Sequence, residues 1–227
     1  MRLPLADSFR ALVGPGLAFK HPPTSLGRAV GGMALVWMPL AALNTAWLVR
    51  LGLRGYSALR HGAVPPEWLG PLGLDPGGLP GLIATLPPPP TFGRLLPWIL
   101  LLVPLGVLGT WLHHAVWDHA ALWLLGGLKH HRGFRISLLA EAEALRIAAA
   151  GTLVGLLGYL PGAGGWLALP LLLLDVYLWL FRGFALAARH GCEPWRGIAA
   201  TVVHVVLLGC MTGGLFVMML FMARLAV

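Results

Sequence analysis

The residues whose types and spacing could do chemistry are His114, Asp118, Glu143, Arg146, Asp175, Arg182 and His204, and each lies inside or at the edge of a long apolar run. His114 and Asp118, four positions apart, share one helix face and could pass a proton or offer two ligands to one ion. Glu143 and Arg146, three apart, have the spacing of a local ion pair. Asp175 stands in the middle of an apolar run, where a carboxylate has to be neutral, paired or facing a cavity. Arg182 follows it two helical turns later, and His204 sits in the last run. Together they form a candidate intramembrane polar cluster for an ion, a proton or a lipid headgroup. The bland alternative is that these groups satisfy one another and fix helix packing, with Glu141 and Glu143 lying in the headgroup layer.

Other chemistries find little footing. His114 and His204 could reach a haem or a metal from two helices, yet no HExxH pair is present and neither spacing is specific. No cofactor is therefore expected. There is no Ser, Cys or Lys nucleophile constellation and no GxxxxGKS loop, so the chain reads as non-enzymatic. Cys192 and Cys210 are too few for a disulfide framework. The small-residue pattern from Gly151 to Gly155 reads as a helix-packing face.

The elements that must position these groups follow from composition. Of 227 residues, 58% are hydrophobic and only 11% charged, and the mean hydropathy is +0.80. Soluble domains carry about 25% charged residues. Uncharged runs of about 20 residues cross the roughly 30 Å hydrocarbon core as helices. Barrel strands would alternate, and these runs do not. The expected fold is an all-α integral membrane bundle of five transmembrane helices, near 29–49, 95–117, 138–160, 166–188 and 198–223.

Residues 1–28 form an amino-terminal arm in which Leu3, Leu5, Phe9, Leu12, Val13, Leu17 and Phe19 suggest a short amphipathic piece on the membrane surface. Residues 51–94 are rich in Pro and Gly and read as one long loop, with an interfacial segment near 79–86. The net charge of +8 comes from basic residues scattered at the ends of apolar runs, which suits headgroups and excludes a nucleic-acid stripe. Lys129, Arg132 and Arg135 in one turn, with Arg182, Arg189 and Arg196 around another, mark the cytoplasmic side. Alternation then places the amino terminus inside. The bilayer is the first partner, and a membrane or cytoplasmic protein, or a second copy of the chain, is a further one.

The stretch from Leu95 to Met222 resembles the Yip family of integral membrane proteins in its bacterial branch. The resemblance rests on the order of WLLGGL (Trp123–Leu128), a short loop ending at Phe134, LLAEAEALRIAAAG (Leu138–Gly151), LPGAGG (Leu160–Gly165), DVYLWLFRGFALAARHG (Asp175–Gly191) and WRGIAA (Trp195–Ala200). It implies a five-span domain with a cytoplasmic amino terminus in the bacterial inner membrane. Eukaryotic members act in vesicle traffic by binding Rab-type GTPases through a cytoplasmic part. The arm here is only 28 residues and has no extended acidic domain, which departs from that pattern. A protein that organises lipids or a partner is the expected function, and a small permease or proton-coupled carrier using the polar cluster is the alternative.

Overall fold

A computed structural model describes residues 4–20, 22–61, 85, 87–128, 130–159 and 164–225. Within them the chain is helical: α1 (Pro4–Val13), α2 (Pro15–Ala18), α3 (Leu26–Arg60), α4 (Phe92–Leu124), α5 (Phe134–Gly155), a 3₁₀ turn at Leu156–Tyr159, α6 (Gly164–His190) and α7 (Pro194–Leu225). Four segments are long and apolar enough to cross a membrane, namely Leu26–Ala58, Phe92–Leu124, Trp166–His190 and Pro194–Gly214. The chain is thus a polytopic membrane protein. The helix expected as a third crossing, α5, is present but not among the four, since it carries Glu141, Glu143 and Arg146.

The helix expected to end at Val49 continues to Arg60. The segment LGLRGYSALR after Arg50 holds Arg54, Arg60 and two glycines but no proline. Charge marks the edge of the hydrocarbon layer, whereas a helix ends where the backbone is interrupted. The expected loop from residue 51 therefore begins only beyond Arg60, and its Pro-rich part at 62–84, with most of the interfacial segment near 79–86, lies outside the described residues.

Met1–Leu40 with Val107–Val227 forms one compact unit, and Ala41–Gly106 a second. In the second unit Tyr56 donates a hydrogen bond to the Pro87 carbonyl at 2.8 Å. Val49, Gly52, Leu53 and Pro87–Pro90 join Tyr56 around a shallow apolar recess of about 430 Å³.

The first unit is organised around α5. Nearly all of Ser137–Gly151 is buried, and its alanines let neighbouring helices approach closely. Gly151 lies under the Leu178 side chain, whose methyl carbon would be 2.6 Å from an added Cβ, while Gly155 faces open space. The tightest approach joins α6 and α7. A Cβ on Gly183 would fall 2.5 Å from the Ile198 Cα, and one on Gly197 would meet the Gly183 carbonyl oxygen.

The arm does not lie free as a surface piece. Gly14 separates α1 from α2, Phe19 is buried with its ring 5.5 Å from that of Phe181, and the Tyr177 hydroxyl donates to the Leu12 carbonyl. One arm face is spent on the bundle, although Phe9 and Val13 remain exposed. Further along, the Trp37 indole N–H donates to the Leu145 carbonyl at 2.6 Å, and Trp111 donates likewise to Leu138 at 2.9 Å. Backbone carbonyls of α5 thus anchor residues of both α3 and α4.

Candidate functional site

Arg182 of α6 organises the buried polar groups. Its Nε–H donates to Glu141 Oε2 of α5 at 2.9 Å, and its Nη2 donates to Asp118 Oδ2 of α4. The guanidinium also lies 4.4 Å from the centre of the Trp179 ring, a cation–π contact from one turn earlier on α6. His204 of α7 completes the set, with Nδ1 2.6 Å from Asp118 Oδ1. Asp118, Glu141 and His204 are 0% exposed and Arg182 is 2% exposed, so one layer of the unit, closed to bulk solvent, holds four helices together.

The arrangement follows from helix periodicity and from the groups' chemistry. A planar guanidinium presents donors in a fixed fork, so one Arg can hold carboxylates from two helices at once. Asp118 accepts from Arg182 with one oxygen and faces His204 with the other, which places a proton on His204 Nδ1. A single ring nitrogen, Nε2, then remains. It is buried without a partner, as are Glu141 Oε1, Arg182 Nη1 and His114 Nδ1.

His114 and Asp118 do not pair, although they stand on the same helix. Asp118 is taken by Arg182 and His204, while His114 Nδ1 stands 4.0 Å from Glu141 Oε2. The His114 ring packs edge-on to Trp179 and to His204, at centroid distances of 5.2 and 5.7 Å. His113 is exposed, and its ring centre is 5.4 Å from that of His204. Trp117 stacks on His204 from the same helix at 6.2 Å.

Glu143 and Arg146 do not form their local pair either. Glu143 accepts from Arg189 Nε of α6 at 2.6 Å and from the Thr24 hydroxyl at 3.2 Å, so it ties the arm's end to α5 and α6. Arg146 lies beside Gly32 of α3, its Cδ 3.1 Å from where a glycine Cβ would stand. Asp175, two turns before Arg182, is exposed and stands apart from the cluster. Of the expected set, His114, Asp118, Arg182 and His204 come together, Glu143 belongs to a second pair, and Arg146 and Asp175 to neither.

A further polar chain lies at the end of α6. His190 Nδ1 donates to the His131 carbonyl, which leaves Nε2 to accept from the Ser137 hydroxyl at 2.8 Å; Ser137 in turn accepts from His119 Nδ1 at 2.8 Å. A serine on a histidine base has the outline of a nucleophile pair. Ser137 and His190 are both 0% exposed, so the pair is closed to a substrate and serves to join α4, α5 and α6. Arg196 closes the other turn by donating from Nη1 to the Gly126 carbonyl at 2.8 Å and that of Leu125 at 3.2 Å, just past the end of α4.

No family model, curated protein or solved structure matches this chain. Among the described residues, no group of three His, Cys, Asp or Glu side chains is posed to hold a metal ion. The residues missed in the sequence are Glu141, assigned there to headgroups, and Arg189, Ser137 and Thr24. Glu141 had a signal: it stands beside Ala140, Ala144 and Ala148 on a small-residue stripe, which belongs at a helix–helix interface.

Proposed function

We propose that this chain is a non-enzymatic membrane protein of the Yip type that organises lipids or a partner protein. The observation that supports this reading best is Arg182, held between Asp118 and Glu141 with His204 behind. Its charges are engaged in joining helices, which is how a rigid membrane frame is built. Apolar faces remain for lipid or a partner helix, as at Leu169, Leu172 and Leu173 of α6 and Val205 and Val206 of α7, all exposed. On this reading α5 is a fifth crossing, with Glu141 and Glu143 neutralised by Arg182 and Arg189. The basic turns then face the cytoplasm of a bacterial inner membrane, and the arm with them.

The test is purification into lipid nanodiscs from the native membrane, followed by mass spectrometry of the lipids and proteins that remain. A reproducible lipid class or partner, lost on charge removal at the exposed Arg132 and Arg135, is the expected result. Bulk lipid composition with no stoichiometric protein would overturn the reading.

A second reading, a proton-coupled carrier, draws on the unpartnered buried atoms of His204, Glu141 and Arg182. Such a carrier would use Asp118 and His204 rather than Asp175, which stands apart. Flux in proteoliposomes abolished by Asp118→Asn would support it, and no flux across a panel of ions and small metabolites would remove it.

A further inference from the structure

We propose that the Asp118–Glu141–Arg182–His204 cluster binds one exchangeable proton, and that His113 is the group through which this proton reaches the surface. The proposal starts from a charge count. The titratable and charged groups facing the site are His113, His114 and Asp118 from α4, Glu141 from α5, Arg182 from α6 and His204 from α7. With neutral histidines, two carboxylates and one guanidinium leave a single uncompensated negative charge. Carboxylates that are 0% exposed are cut off from the bulk solvent that would screen this charge, so this state is strongly disfavoured. One added positive charge makes the layer neutral.

The structure also offers places to hold that charge. Glu141 Oε1 and His204 Nε2 are buried and without partners. A proton on the first turns the carboxylate into a neutral acid; a proton on the second makes an imidazolium whose Nδ1 is already on Asp118. In either case one proton enters from water and leaves to water, and the cluster goes from minus one to zero. A second proton would make it positive, so occupancy stops at one.

A proton fits better than another monovalent cation. Hard cations take several oxygen ligands, whereas two of the unpartnered acceptors here are imidazole nitrogens, His204 Nε2 and His114 Nδ1. The described residues also hold no three-ligand metal group. The route follows from position. His113 is exposed on α4 only four residues before the end of the expected 95–117 span, close to where headgroups and water begin, with its ring 5.4 Å from that of the fully buried His204; no other imidazole near His204 among the described residues is exposed.

The proposal does not rest on the scaffold or carrier readings, because it is tested at equilibrium without partner or flux. The protein is labelled with ¹⁵N-histidine, placed in phosphatidylcholine nanodiscs and titrated while His204 is followed by NMR and carboxyl protonation by infrared difference spectroscopy. We expect one signature, either a His204 imidazolium or a protonated-carboxyl band absent from Glu141→Gln, to disappear with rising pH as one proton per chain. His113→Gln should leave the midpoint in place and slow exchange by roughly a hundredfold, the scale on which a positioned acid–base group acts. Signatures constant over the whole range in which the wild-type protein stays folded would overturn the site, with no need for a variant to fold. An unchanged exchange rate in His113→Gln would overturn the route. A midpoint displaced in proportion to added sodium or zinc chloride would overturn the proton in favour of a cation.

Discussion

Arg182→Met is the sharpest perturbation of this molecule. It keeps an unbranched apolar stem and removes the cation from between Asp118 and Glu141, both 0% exposed. Breaking a buried ion pair by removing one partner costs about 3–5 kcal/mol, because the other charge stays buried. Here one substitution strands two carboxylates and also removes the guanidinium from the Trp179 ring. That places the expected loss at the top of the range, about 5 kcal/mol, tempered only if one carboxylate takes up a proton. For a chain of this size such a loss lowers Tm by roughly 10–20 °C. Thermal unfolding in detergent, followed by tryptophan fluorescence, reads it directly. The triple variant Asp118→Asn, Glu141→Gln, Arg182→Met carries no stranded charge and should recover most of the loss, a non-additivity that only a shared network gives. A single-variant loss under about 1 kcal/mol, the size of an exposed pair, would refute the buried bridge.

Gly197→Ala should cost about 3 kcal/mol, the upper part of the overpacking range, since its Cβ would meet the backbone of α6 and not a movable side chain; the same unfolding assay checks it. Tyr177→Phe removes the hydrogen bond to the Leu12 carbonyl and should make the arm cleavable by protease at lower protease concentration, with the bundle intact. Arg196→Ala exposes the carbonyls closing α4 and should cost about 1 kcal/mol. Asp175→Asn removes an exposed carboxylate in the middle of a membrane-crossing helix and outside the cluster, so it should leave Tm unchanged or raise it in lipid nanodiscs, which the same unfolding assay checks.

The apolar helices are legible in the sequence, the cluster's membership only in part, and the pairing not at all. Long uncharged runs announce helices that cross a membrane, and ionisable residues inside them announce a buried site. Spacing along one helix, however, finds only partners within that helix. His114 with Asp118 and Glu143 with Arg146 have ideal spacing, yet each carboxylate goes to an arginine on α6, because a guanidinium from a facing helix also joins two elements. Asp175 is the reverse case. Its place in the run suggests the deepest group in the site, but which way a helix face points depends on neighbours that one run does not reveal. The extension of α3 to Arg60 is not legible because Arg50 marks only a change of surroundings and not the end of a helix.

The cluster's cost bears on its role. A buried ion pair replaced by apolar residues of similar volume often leaves a protein as stable or more so, so stability alone does not account for Arg182 between two carboxylates. What apolar packing would not supply is selectivity of register. Leu and Ala faces tolerate a one-turn slip, whereas a fixed fork with one carboxylate on α4 and one on α5 is satisfied at one position only. The close contact of Gly183 with Ile198 lies one residue beyond Arg182, so the layer that sets register also brings α6 and α7 nearest. The triple neutral variant separates these roles. It should unfold near the wild-type temperature while cysteine pairs placed across α5 and α6 cross-link in more than one register. A single cross-linking register in that variant would show that close packing such as Leu178 over Gly151 alone sets the register and that the charges serve the proton.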